Sequence, residues 1–220
     1  MPSATVENYL KHIYDLAEGR PEQAVPMGKV AHCLRVVPGT ATTMVKSLQR
    51  ERWLDYQPRV GVWLTEDGRQ EALRVLRKHR ILEMFLAEVL GLDWTEVHEE
   101  AELLEHALSE KLVNRMDAFL GHPSVDPHGD PIPTEEGKVR EPRSILLSET
   151  ETGGDYRIVR ILKQESEFLR FLHEHGLVPK GVLKVRRRIP SADVMEIEVD
   201  SGGAVALGLQ AAGEIRVKKL

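Results

Sequence analysis

The chain holds a single cysteine, Cys33, among 220 residues. That excludes an intramolecular disulfide and any thiolate-rich zinc finger, and leaves Cys33 as a small core residue. No apolar run approaches the ~20 residues needed to span a bilayer, and no basic-then-apolar leader opens the chain, so a cytoplasmic protein without a membrane partner is expected. Aromatic residues make up only 5%, and Trp53, Trp63, Phe85 and Phe119 read as core or dimer packing. Positive charge is not in excess either. A net charge of −5 argues against nonspecific coating of nucleic acid.

Charge is, however, unevenly placed. Residues 28 to 64 carry Lys29, Arg35, Lys46, Arg50, Arg52 and Arg59 against Glu51 and Asp55, whereas residues 76 to 121 carry ten acids against five bases. Within the acidic stretch, His98, Glu102, Glu105 and His106 fall on about one third of a helix circumference at ~100° per residue. His79 and Glu83 stack one turn apart on the helix before it. A lone Glu on a helix is ordinarily a solvated charge, but two histidines and two acids on one stripe, facing a second His/Glu pair, are a donor set for one or two divalent cations. His12, His32, His122, His128, His173 and His175 lie outside this stripe and read as surface or structural.

The expected elements form an order. Val6, Tyr9, Leu10, Ile13, Tyr14 and Ala17 mark an amphipathic helix over Val6 to Glu18, ended by Gly19, Arg20 and Pro21. Short helices at Met27 to Leu34 and Gly39 to Glu51, with a turn at Arg35 to Pro38, suggest a helix-turn-helix. Two strands over Leu54 to Leu64, joined across Pro58 to Gly61, make a wing. Thr65 then caps a long helix to about Leu90, and another is expected from Thr95 to Leu120. Five prolines between 122 and 143 mark a turn and linker. Strands at Asp155 to Leu162, Val182 to Arg188, near Val205, and at Val194 to Val199 and Ile215 to Lys219, with a helix over Glu165 to His175, fit a small β-barrel. The fold class is mainly α with small β. The expected domains are 1–72, a winged helix-turn-helix; 73–143, helical with the Pro-rich linker; and 144–220, the barrel.

In a helix-turn-helix the start of the second helix enters the major groove, where short polar side chains read base edges. Here those residues are Pro38, Gly39, Thr40, Thr42 and Thr43. The threonine methyls suit thymine, so an A·T-containing operator is expected. Arg35, Lys46 and Arg50 are placed for phosphates, and Arg59 at the wing tip for backbone or minor groove. Arg77-Lys-His-Arg80 reads as solvated or acid-paired.

Four segments carry a family likeness: Glu7-Asn-Tyr-Leu-Lys-His-Ile-Tyr14, Arg77-Lys-His-Arg80, Val97-His-Glu-Glu-Ala-Glu-Leu-Leu-Glu-His106 and Asp126-Pro-His-Gly-Asp-Pro-Ile-Pro133. With the domain order, they make the chain resemble the iron- and manganese-dependent repressors typified by the diphtheria toxin repressor and the manganese transport regulator. The resemblance implies a homodimer that binds a palindromic double-stranded operator when loaded with metal, a helical metal-binding and dimerisation domain, and a C-terminal SH3-like (FeoA-type) barrel. It implies two metal ions per subunit. Glu102, Glu105, His106 and Asn8 match the primary site, and His79, Glu83 and His98 the ancillary one, completed by Gln164 and Glu167 of the barrel. Iron-sensing relatives carry cysteine at position 102 and manganese-sensing ones glutamate. Hard carboxylate oxygen at Glu102 therefore favours Mn(II), with Fe(II) the alternative. The manganese regulator has an aspartate and a glutamate where this chain has Asn8 and Lys11, and Lys11 does not bind metal unless deprotonated. His98 matches the iron sensors, which makes the site a hybrid.

Two other classes are weighed. His98-Glu-Glu-Ala-Glu102 and Glu102-Leu-Leu-Glu-His106 each lack one histidine of a zinc-protease motif, and the Glu-x-x-His of di-iron bundles is absent because position 103 is Leu, so no enzyme is expected. The barrel resembles the small domain found alone in ferrous iron transport accessory proteins, which opens a metal buffer or uptake adaptor. The basic helix-turn-helix has no use in either.

Overall fold

Ser3 starts the fold by accepting a hydrogen bond from the Val6 backbone N–H, which caps helix α1, Ala4–Leu16. The cap, rather than the first apolar residue, sets where the helix begins, two residues ahead of the expected Val6. The computed structural model of the chain describes residues 2–200 and 202–220. Met1 and Ser201, which fall in the first and last expected domains, lie outside the described residues.

Helix α2 spans Met27–Cys33 and α3 spans Pro38–Arg50, with Pro38 in the first turn of α3, where a missing N–H costs nothing. Cys33, expected in the core, is only half-buried on α2. Strands β1, Leu54–Gln57, and β2, Gly61–Leu64, pair antiparallel from Leu54 opposite Leu64 to Gln57 opposite Gly61. Val25 bridges to Val62 from outside this wing. That approach requires glycine at 61, where φ is 146° and a Cβ would stand 2.5 Å from the Val25 carbonyl oxygen. Tyr9, Ile13, Val30, Val45, Leu48, Leu54 and Val62 close one core beneath the three helices and the wing. Truncating one such side chain, as in Leu48→Ala, costs roughly 2–5 kcal/mol.

The chain folds as two compact units. The first holds the residues up to His79 together with Leu104–Leu108 and Pro133–Lys138, and the second holds Arg80–Leu103, Ser109–Ile132 and Val139–Leu220. Helix α4, Glu66–Glu88, opens on Thr65, whose hydroxyl oxygen accepts from the Gly68 N–H at 3.1 Å. The single helix expected over Thr95 to Leu120 is instead broken. Helix α5 runs Val97–Leu104, a 3-10 turn takes Glu105–Ala107, and α6 runs Glu110–Phe119. Leu108 is extended, and the Ser109 side chain caps α6 by accepting from the Leu112 N–H. A serine satisfying a fresh helix terminus competes with continuation of the old helix.

In the second unit the described residues include a six-stranded sheet of β3 (Ile145–Leu146), β4 (Asp155–Ile161), β5 (Val182–Ile189), β6 (Val194–Val199), β7 (Ala204–Gly208) and β8 (Ile215–Lys219), in the spatial order β3-β8-β4-β5-β6-β7. Every pairing is antiparallel. Register shifts at Ile158/Arg160 and Val185/Arg187 mark bulges, which increase twist and let a small sheet curl. Helix α7, Ser166–Glu174, adds Leu169 and Leu172 to a core of Leu147, Tyr156, Ile158, Val185, Ile197 and Val217. Strand β3 and the short helix α8, Leu209–Ala212, were not expected. Both are too short to show a period. No helix of the described residues is long and apolar enough to cross a membrane.

Candidate metal centres and nucleic-acid interface

In the first unit, α1 brings Glu7, Asn8 and Lys11 to the 3-10 turn that carries Glu105 and His106. The His106 Nδ1 N–H donates to Glu7 Oε2 at 2.6 Å. Its Nε2 lies 2.8 Å from Asn8 Oδ1 and 3.4 Å from Glu105 Oε1. A carboxylate behind one ring nitrogen fixes which nitrogen faces the site, as in metal-bound histidines. Glu105 is wholly buried; its Oε1 accepts from the Lys11 ammonium at 2.5 Å and its Oε2 from His79 Nδ1 at 2.6 Å. Glu7 also receives Arg74 at 3.4 Å. The expected primary-site residues Asn8, Glu105 and His106 therefore converge. His79, expected with the ancillary set, engages Glu105.

The second unit collects Glu83, His98, Glu102, Asp126 and His128. Glu83 Oε1 stands 3.2 Å from His98 Nδ1 and 3.6 Å from His128 Nδ1, and His98 Nε2 is 3.8 Å from Glu102 Oε1. One donor atom from each of Glu83, Asp126 and His128 lies within 4.8 Å of the others, all three residues buried. The loop holding Asp126 and His128 is tied by its own aspartate: Asp126 Oδ1 accepts the backbone N–H of His128 at 2.8 Å and of Asp130 at 2.9 Å. His128 Nε2 faces the Trp94 carbonyl at 2.8 Å and must donate to it, which leaves Nδ1 as the donor atom turned to Glu83.

Two atoms here call for a ligand. Among the described residues, Asp126 Oδ2 and His128 Nδ1 are buried without a hydrogen bond, a costly state for a carboxylate and an imidazole. Arg80 Nε, 3.8 Å from Oδ2, offsets part of that cost. Burial, with Asp130 and Glu83 beside it, raises the Asp126 pKa well above the usual carboxylate range. Burial alone would lower the His128 pKa, but the nearby Glu83 carboxylate, with Asp126 and Asp130, outweighs it and raises it. Oxygen and imidazole nitrogen donors held at high proton affinity fit a divalent cation that replaces the protons.

Several expectations need correcting. The donors do not share one helix: His98 and Glu102 lie on α5, Glu105 and His106 on the 3-10 turn. Gln164 donates to Asp130 Oδ2 at 2.8 Å, and Glu167 is exposed at the start of α7 and belongs to none of the candidate donor groups found among the described residues. For Arg77-Lys-His-Arg80 the acid-paired reading holds and the solvated one does not: all four are buried, Arg80 lies 3.4 Å from Asp130 Oδ1 and His79 2.6 Å from Glu105 Oε2, with Arg77 on the Pro133 carbonyl and Arg80 on that of Pro131. Of the surface and structural readings of His128 the first fails, since the residue is wholly buried. Glu7, Asp126 and His128 were missed as site residues, although Asp126-Pro-His128 stood in a motif already singled out.

On the first unit, Arg35, Pro38, Gly39, Thr40, Thr43, Lys46, Arg50 and Arg59 are all exposed. Thr42 and Thr43 donate their hydroxyls to the carbonyls of Pro38 and Gly39 at 2.8 and 2.9 Å, back along α3. Their protons are spent within the helix, which leaves methyls and oxygen lone pairs for a groove. In the second unit Leu90, Leu103, Leu112 and Phe119 stay exposed, Leu103 at 76% and Phe119 at 71%.

A winged reading head joined to buried carboxylate–imidazole donors defines a metal-dependent DNA-binding regulator. Three family profiles match in chain order: iron dependent repressor, N-terminal DNA binding domain, over residues 1–62; iron dependent repressor, metal binding and dimerisation domain, over 65–134; and FeoA domain, over 145–219. The iron-dependent repressor IdeR of Mycobacterium tuberculosis is 34% identical over 211 residues, 92% of this chain and 87% of its own length. The HTH-type transcriptional regulator MntR of Oceanobacillus iheyensis is 33% identical over 122 residues, 56% of this chain and 81% of its own. A solved manganese-dependent transcriptional repressor in complex with manganese superposes at a TM-score of 0.88 with 36% identity, over 98% of this chain and 100% of that one. The chain belongs to the family of the diphtheria toxin repressor, IdeR and MntR, metal-dependent DNA-binding repressors that are not enzymes. Its DNA-binding and dimerisation domains indicate an operator and a homodimer.

Proposed function

We propose that the chain is a Mn(II)-responsive repressor of metal-transport genes that binds two ions per subunit and, as a dimer, a palindromic operator. The observation that carries the reading is the donor set. Asn8, Glu105, His106, Glu83, Asp126 and His128 offer only oxygen and imidazole nitrogen, and Glu102 takes the place where iron sensors have sulfur, which suits a hard cation. The first ion is assigned to Asn8, Glu105 and His106, with Glu102 the fourth donor on sequence grounds. The second is assigned to Glu83, Asp126 and His128, with His98 beside Glu83. An Fe(II)-responsive repressor is the second reading, favoured by the nearly full-length likeness to IdeR.

A bound divalent cation supplies the positive charge that these buried acids otherwise take from protons or neighbouring bases. Asn8, Glu105 and His106 together tie α1 to the 3-10 turn. Since α1 packs on α2 and α2 on α3, holding α1 holds the reading helix. Half-sites recur by helical turns, so one orientation of the paired reading helices binds best. The differential affinity of the two states caps the coupling at ~1–3 kcal/mol. Arg35, Lys46, Arg50 and Arg59 then act on phosphates, and log affinity should fall by ~0.9 per unit log salt for each phosphate neutralised. The test is capture of fragmented host DNA with Mn²⁺, with anaerobic Fe²⁺ and with chelator. Enrichment of a palindrome near transporter promoters with Mn²⁺ supports the reading, stronger enrichment with Fe²⁺ supports the alternative, and none under any condition supports a buffer.

A further inference from the structure

We propose that Lys11 is a tethered internal cation that sets the free metal concentration at which the Glu105–His106 cluster fills. The inference rests on the reading that Asn8, Glu105 and His106 hold an ion. Lys11 is 2% exposed and Glu105 0%, and the ammonium sits 2.5 Å from Glu105 Oε1. That oxygen is also the one facing His106 Nε2, at 3.4 Å. Glu105 Oε2 is already engaged by His79 at 2.6 Å. The lysine therefore occupies the side of the carboxylate that an ion shared by Glu105 and His106 needs. Asn8 and Lys11 are three residues apart on α1 and share one face of it, so the backbone that offers the Asn8 oxygen also delivers the ammonium.

A buried carboxylate is costly without a countercharge. Lys11 supplies one inside the chain, so the metal-free cluster is a settled arrangement rather than a vacant anionic hole. Its stem is buried, so an ammonium displaced from Oε1 stays close and repels an incoming dication, in surroundings where charges are weakly screened. Both effects act in one direction: they raise the metal concentration needed for filling. A purely structural ion pair predicts the opposite, since removing the lysine would only loosen the cluster.

The test is a Mn²⁺ titration of the purified 220-residue chain, read as free Mn²⁺ by electron paramagnetic resonance, with thermal unfolding in chelator alongside. Lys11→Met keeps the stem length and removes the charge. It is expected to tighten one class of Mn²⁺ sites by about 10-fold or more while lowering the unfolding temperature in chelator. Lys11→Arg keeps the charge and should titrate near wild type. Lys11→Gln, should the methionine variant not fold, is expected to shift as Lys11→Met does. Unchanged or weaker Mn²⁺ binding in the neutral variants overturns the proposal. His106→Ala separates the underlying reading: if it removes no class of sites from the wild-type titration, the cluster holds no ion and the assignment of Asn8, Glu105 and His106 fails first.

Discussion

Glu105 and Asp126 are both buried carboxylates beside a histidine, yet they rest in different states. Glu105 has an ammonium on one oxygen and an imidazole on the other. Asp126 gives one oxygen to two backbone N–H groups, and its other makes no hydrogen bond. The first cluster carries its own cation; the second holds protons more tightly than free side chains do. On the function proposed above, the two clusters would fill at different metal concentrations, one by displacing a lysine and one by displacing protons.

The harshest break in this comparison is His106→Ala or Glu105→Gln. Either should reduce metal-dependent operator binding by up to about 100-fold in a mobility-shift assay with a folded dimer, and operator binding that survives would remove the Lys11 cluster from the switch. His128→Ala comes next. It should weaken only one class of Mn²⁺ sites, by about 10- to 100-fold, in equilibrium dialysis; equal loss of both classes would mean that the clusters are not separate. The pH dependence sharpens the contrast further. Because the His128 and Asp126 pKa values are raised in the folded chain, their stabilisation is present below the unfolded values and lost as pH rises through the folded ones. Without metal, stability should decline as pH rises through the raised values of these two groups, and the gain in unfolding temperature on adding Mn²⁺ should widen as it does. A gain that shrinks with pH would contradict it. The smallest expected effect is that of Glu102→Cys, a several-fold shift of preference toward Fe²⁺, Co²⁺ or Zn²⁺ over Mn²⁺, read by competition titration; unchanged ratios would sink the selectivity argument.

Much of this was legible in the sequence wherever a period or a cap spoke. The helix-turn-helix, the wing and most barrel strands follow from apolar spacing and turn residues, and β6 and β8 fall on Val194–Val199 and Ile215–Lys219 as expected. The break at Glu105 was hidden, because His98, Glu102, Glu105 and His106 keep helical spacing whether or not the helix continues. Ser109 was the visible signal of a new start. Asp126 and His128 were hidden for another reason: a loop has no period, and only the folded chain brings it beside α4. Lys11 read as a mismatch among donors. Its burial against a residue far along the chain was not a local property.

Gly129 sits between the two donors of that loop and the barrel. Its φ is 89°, and a Cβ there would stand 2.0 Å from the Val159 carbonyl oxygen, while the neighbouring His128 carbonyl accepts the Ile161 N–H at 2.9 Å. The loop is therefore stitched, backbone to backbone, onto β4 with no room for one added carbon. A single methyl at this position works as a molecular shim: it would prise the loop off the strand while leaving every donor in the sequence. Gly129→Ala thereby asks whether the barrel is a passenger or the jig that keeps Asp126 and His128 aimed.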